Sequence, residues 1–203
     1  GPYIRRFVEA KPAILPDRSQ FPKNKLQLTI AAAWEFALRR KSVLIYCTQR
    51  THVEAYAKEI VKLIKRGYLP SLLTDNTHLK RIIAIGEEWL GQGNPVVECL
   101  RYGIVIHHGR LPNPFLRELE KLLAERALKM TVASPTLAQG LNLNASVLLV
   151  PNIYRSKWPI SGEEFSNVTG RAGRAFVDIE GLIIHTIYDK SEWRRRQWKE
   201  LVN

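Results

Sequence analysis

The segment Asn167-Val168-Thr169-Gly170-Arg171-Ala172-Gly173-Arg174 places two arginines three residues apart among small neighbours. A guanidinium keeps its charge at every accessible pH and offers a planar fork of donors, so two held on one face suit phosphate oxygens better than two lysines would. Gly170 and Gly173 lack a Cβ, which lets backbone approach a ligand closely or adopt positive φ at little steric cost. A plain surface turn with two solvated arginines fits the same string, and the spacing alone does not choose between them.

Hydrophobic periodicity gives the elements that must hold such a pair. Lys25 to Arg40 carries apolar residues at Leu26, Ile30, Ala33, Trp34, Ala37 and Leu38, the spacing of one helix face. Within 42–48, the unbroken run Val43-Leu44-Ile45-Tyr46-Cys47 suits a strand buried on both faces, which implies a parallel sheet. Gln49 to Arg66 returns to the helical period and Gly67 stops it. Leu79–Leu90 and Asn94–Arg101 read as short helices, Gly103–His107 as a second strand, and Pro112–Leu128 as an amphipathic helix beginning near Pro114. Met130–Ser134, Ser146–Pro151 and Gly181–Ile187 are three more strand-like runs. The pattern predicts an α/β fold with about five mainly parallel strands, alternating with helices at the start and with loops later. Residues 1–24, with Pro12, Pro16 and Pro22 among charges, read as an extended linker, and Gly1-Pro2 as a cleavage remnant of a tag. Lys190 to Val202, with Trp193, Trp198 and Leu201 among basic residues, reads as a helix leading into further structure.

Thirty-one Lys and Arg against nineteen Asp and Glu give a net charge of +12, which favours a polyanion such as nucleic acid or offsets acidic neighbours. No apolar run approaches the roughly 20 residues that span a bilayer, so no membrane partner is expected, and the location expected is intracellular, cytoplasmic if prokaryotic. Cys47 and Cys99 lie in apolar patterns without a CxxC, as core thiols do. His107 and His108 are adjacent, so on a strand they point to opposite faces, and no metal site is expected.

In open α/β sheets ligands gather at the carboxyl ends of the strands. Thr48, Gln49 and Arg50 follow the first predicted strand; His108, Gly109 and Arg110 follow the second; Ser134, Thr136, Gln139, Gly140 and Asn142 follow the third. Hydroxyls and free N–H groups at helix N-termini bind phosphate well, and Ser134 and Thr136 fit that role or ordinary helix capping.

SVLIYCTQR, GIVIHHGRL, TVASPTLAQGLNLNA and EEFSNVTGRAGR, in this order, closely resemble motifs IV, IVa, V and VI of superfamily-two helicases of the Ski-like branch, within the DEAD/DEAH-box group. The resemblance covers most of residues 25–187. It implies a RecA-like domain, the second of a two-domain motor with ATP and Mg2+ bound between the domains. The layout implied is tag remnant and interdomain linker at 1–24, the second RecA-like domain at 25–187, and the start of a C-terminal helical extension at 188–203. By the same resemblance Arg171 and Arg174 match paired arginine fingers at the γ-phosphate, where such a residue is worth about 10³ to 10⁵ in rate. Gly140 and Asn142 match positions coupling the nucleotide cleft to the nucleic-acid track, and Asn167 and Gly170 belong to the nucleotide-facing motif. Thr48, Arg50, His108, Gly109, Ser134 and Thr136 match positions along the backbone of a bound strand, single or partly duplex, DNA or RNA.

Two positions depart from the family pattern: Asn167 stands where glutamine is usual, and Phe176 where glycine is usual. Asp178 and Gly181 match. The chain holds no G-x-x-x-x-G-K-[ST] loop and no Walker B acid. The phosphate-cradling lysine and the metal-holding carboxylate are therefore expected from the first RecA-like domain of the same polypeptide, and the fragment alone is expected to be inactive. The rival expectation is a non-hydrolysing clamp that keeps a helicase-like domain for binding only.

Overall fold

The computed structural model describes residues 13–14, 20–135, 145–155, 157–172, 181–188 and 192–202. After a short antiparallel pair, β1 (Ala13–Ile14) and β2 (Gln20–Phe21), the first helix α1 spans Lys25–Leu38. Its start is set by Asn24, whose side chain accepts from the Gln27 N–H at 2.9 Å, while the Gln27 side chain accepts from the Lys23 N–H at 3.0 Å. Its buried face carries Ile30, Ala33, Trp34 and Ala37, and the Trp34 indole donates to the Pro70 carbonyl at 3.0 Å.

Five strands form the main sheet: β3 (Val43–Tyr46), β4 (Ile104–His107), β5 (Met130–Ala133), β6 (Val147–Leu149) and, late in the chain, β9 (Leu182–Ile184), in the order β4-β5-β3-β6-β9. Every pairing among them is parallel. The chain runs from β3 outward to β4 and back to β5, then crosses β3 to reach β6 and β9. Direction thus reverses at β3, the switch point where such sheets place their ligands.

Side chains alternate across β3. Val43 and Ile45 enter one core with Trp34, Tyr56 and Ile60, while Leu44 and Tyr46 enter a second core with Leu148, Phe165 and Val168. Both faces are apolar, which is why the strand shows no period of two in the sequence.

Three helices join β3 to β4: α2 (Arg50–Lys65), α3 (Lys80–Leu90) and α4 (Pro95–Arg101); α5 (Asn113–Ala124) joins β4 to β5. Gly86 lets α3 sit close to its neighbours. A Cβ there would lie 2.7 Å from the Phe115 ring and 2.8 Å from Val97 Cγ2. Helix α5 ends short of the expected Leu128, because Arg126 takes φ 54° and turns the chain into β5.

A β-hairpin, β7 (Tyr154–Arg155) and β8 (Trp158–Pro159), then leads to α6 (Gly162–Ala172), and α7 (Glu192–Val202) follows β9. Helix α7 leans on the second core, with the Trp198 ring stacked on His185 at 4.8 Å and edge-on to Phe165 at 5.6 Å. Most expected strands and helices agree to within two residues. Hairpin and α6 occupy a region expected to be loop. Among the α6 residues whose burial is described, Phe165 and Val168 are the buried ones, an apolar signal one turn long, and two-residue strands such as β1 and β2 present no period at all.

Candidate functional site at the carboxyl edge of the sheet

Because all five strands are parallel, they end on one edge. There the ladder continues one step further: the Cys47 N–H donates to the Ala133 carbonyl at 2.8 Å, and the Ser134 N–H to the His107 carbonyl at 3.1 Å. These bonds hold the chain after β3, β4 and β5 side by side, so that Cys47, Ser134 and His108, distant in sequence, stand level at the ends of adjacent strands, with Thr48 one residue further along. Thr48, His108 and Ser134 are nearly enclosed, at 2%, 4% and 4% exposure. Thr48 is already engaged, since its hydroxyl donates to the Tyr154 carbonyl at 2.7 Å and fixes the hairpin to the end of β3.

His107 and His108 diverge, as their adjacency requires. His107 Nε2 lies 3.5 Å from Glu120 on α5, near enough for attraction, yet among the described residues neither ring nitrogen makes a hydrogen bond. His108 faces α2, with Nδ1 accepting from the Arg110 N–H at 3.3 Å and Nε2 standing 3.7 Å from Glu54, which also takes Arg50 at 2.8 Å. Burial pulls both imidazoles below their usual range, although Glu120 and Glu54 oppose it, so both are neutral near pH 7. Arg50, Lys58, His108 and Arg110, together with Pro95 and Leu111, line a groove of about 310 Å³. Gly109 sits in the turn between His108 and Arg110. Among the described residues no group of three or more His, Cys, Asp and Glu is arranged to hold a metal ion.

Helix α6 carries Asn167, exposed to solvent, and in its last turn the backbone of Gly170 and Arg171. Thr136, Gly140, Asn142 and Arg174 lie outside the described residues. Phe165 and Val168 anchor the helix in the second core. A polar node that sequence reasoning missed anchors it a second time. Glu164 Oε1 accepts from the Tyr46 hydroxyl at 2.8 Å and from Arg155 Nη2 at 2.6 Å, and Arg155 Nε reaches the Thr48 carbonyl at 3.4 Å. Tyr46 is 2% exposed, and burial followed by the bond to Glu164 pushes its phenol far above the ordinary range. An enclosed hydroxyl left without its acceptor costs about 1–3 kcal/mol. The half-exposed Arg155 pairing contributes about 0–1 kcal/mol. The available signal was Ser161-x-x-Glu164, the pattern of a helix start, together with one phenol in an otherwise apolar strand.

A parallel sheet of this order, flanked by helices and gathering hydroxyl, imidazole and cationic groups at its carboxyl edge, is the architecture of a RecA-like helicase domain. No family model matches the chain. It is 34% identical over 176 residues to Hachiman protein HamB of Bacillus cereus, covering 85% of this chain and 16% of that protein. It is 31% identical over 156 residues to human Exosome RNA helicase MTR4, covering 73% of this chain and 15% of that protein. It is also 27% identical over 154 residues to ATP-dependent DNA helicase Hel308 of Methanocella arvoryzae, covering 72% of this chain and 21% of that protein. The chain belongs to the superfamily-two helicases of the Ski-like branch, and it spans less than a quarter of the length of each of these three relatives. No helix among the described residues is long and apolar enough to cross a membrane.

Proposed function

We propose that this chain is the second RecA-like domain of an ATP-dependent nucleic-acid helicase or translocase, with the linker at 1–24, the domain at 25–187 and the start of a helical extension at 188–203. The observation that carries this reading is that Thr48, His108 and Ser134 follow the carboxyl ends of three adjacent parallel strands at the switch-point edge of the sheet, with α6 bonded to the same edge through Glu164. A single strand is gripped through its backbone by Arg50, by the turn at His108 and Gly109, by Ser134 and Thr136, and by the chain around Thr48. The net charge of +12 favours the same partner.

Arg171 and Arg174 reach the γ-phosphate of ATP, with Asn167 and Gly170 beside them and Gly140 and Asn142 linking the cleft to the strand. Guanidinium, side-chain amide and backbone N–H donors suit phosphate oxygens, and none of these residues brings the carboxylate by which Mg2+ is usually held. The fit therefore extends to the phosphate end of ATP and not to its metal. The P-loop and metal ligands come from the first RecA-like domain of the same polypeptide, and ATP supplies a phosphoryl group for transfer to water. Relatives are named for RNA in one case and DNA in another, which accords with a motor that holds backbone and not bases.

The test is ATP hydrolysis by the full-length protein with and without a single-stranded oligonucleotide, alongside binding at increasing salt. Stimulated hydrolysis with binding that weakens as salt rises is expected. Salt-sensitive binding with no stimulated hydrolysis would replace the motor with a non-hydrolysing clamp.

A further inference from the structure

Ser161-x-x-Glu164 begins α6 with the pattern of a capping box, in which a serine accepts from the N–H three residues on and the acid reaches back to the serine N–H. Half of that arrangement is present, since the Glu164 N–H donates to Ser161 Oγ at 3.0 Å. The other half is not made. The Glu164 carboxylate instead leaves its own helix and accepts from Tyr46 on β3 at 2.8 Å and from Arg155 on β7 at 2.6 Å. Arg155 also reaches the Thr48 carbonyl at 3.4 Å, and the Thr48 hydroxyl holds the Tyr154 carbonyl at 2.7 Å. The bonds close a circuit through the end of β3, the hairpin and the first turn of α6.

Stability alone does not account for this circuit, since satisfying the Tyr46 hydroxyl calls for one acceptor and not for Arg155 as well. Phe165 and Val168 already anchor α6 in the second core, and an ion pair half open to water adds little. What the circuit fixes is the orientation of α6 relative to the end of β3. Arg171 follows Glu164 by seven residues, about two helical turns.

We propose that Glu164 and Arg155 are a positioning pair that ties the helix bearing Arg171 to the strand-contacting end of β3, and that the pair transmits nucleic-acid binding to ATP turnover. This rests on the reading of Arg171 as a phosphate-contacting residue. Neither Glu164 nor Arg155 touches the reacting atoms; each acts through the placement of α6.

The experiment measures ATP turnover by the full-length protein with and without a single-stranded oligonucleotide, for Glu164→Ala, Arg155→Ala, the double variant, Tyr46→Phe and Arg171→Ala. Each single alanine variant is expected to lose about tenfold of the stimulated turnover, a usual size for coupling between sites. Unstimulated turnover and the KM for ATP stay close to native. The double variant is no worse than the poorer single, since the two residues act as one unit. Tyr46→Phe, which keeps the ion pair, loses less. Native stimulation in Glu164→Ala and Arg155→Ala, with Arg171→Ala crippled, overturns this inference alone. An equal fall in unstimulated and stimulated turnover also overturns it, because that is the mark of a merely structural role. Native turnover in Arg171→Ala overturns the reading underneath. Should Glu164→Ala fail to fold, Arg155→Ala decides the matter on the same criteria.

Discussion

Replacing Gly86 by alanine tests whether α3 and α4 are seated as described, and with them the wall of the groove beside His108. On an open helix the change would stabilise by about 1 kcal/mol through backbone propensity. Here the new Cβ would lie 2.7 Å from the Phe115 ring and 2.8 Å from Val97 Cγ2, both far inside ordinary contact distance. Phe115 and Val97 are each 0% exposed, so neither has room to retreat cheaply. Overpacking of this kind costs about 1–3 kcal/mol, and two rigid neighbours argue for the upper end. The net expectation is a loss of about 2 kcal/mol, or about 4–8 °C in Tm for a chain of this size. Gly162→Ala is the control, because a Cβ there meets nothing within 4 Å. Urea unfolding of both variants decides the question. A Gly86→Ala protein as stable as the native one would refute the close seating of α3 on α4 and α5.

Stability is also expected to fall as the solution is acidified. Burial lowers the pKa of His52, His107 and His108, and takes His185 down to about 4. The unfolded chain therefore binds protons before the folded one does. The contribution is complete above about pH 6.5, the ordinary histidine value, and is lost as pH falls from there through about 4. Urea midpoints at pH 7.5, 6 and 5 should decline in that order, and a flat or rising series would contradict the burial of these rings. Cys47 and Cys99 are each 0% exposed and burial raises both thiols, so a thiol reagent should modify the native protein slowly and the unfolded protein at once. Rapid modification without unfolding would place either thiol wrongly.

The sheet was legible because each of its strands is an unbroken apolar run, and the parallel arrangement followed from strand and helix alternating in the first half of the chain. Thr48, His108 and Ser134 were legible by type and by their place after strands, and the opposed facing of His107 and His108 followed from the period of two. What stayed hidden was long-range and polar. Tyr46 and Glu164 are 118 positions apart, so no local pattern pairs them. The engagement of the Thr48 hydroxyl by the Tyr154 carbonyl is likewise a bond across 106 positions. Helix α6 escaped notice because one turn of apolar residues anchors it, and the rest of its surface is polar or small.

The role proposed for the arginines of the Asn167–Arg174 segment is action on a nucleotide. Its most direct test is the rate of ATP hydrolysis by full-length Arg171→Ala and Arg174→Ala proteins, with ATP binding measured in parallel. Turnover should fall by about 10³-fold or more in each, as the loss of an arginine finger implies, while ATP affinity changes modestly. Near-native turnover in both variants would contradict the account.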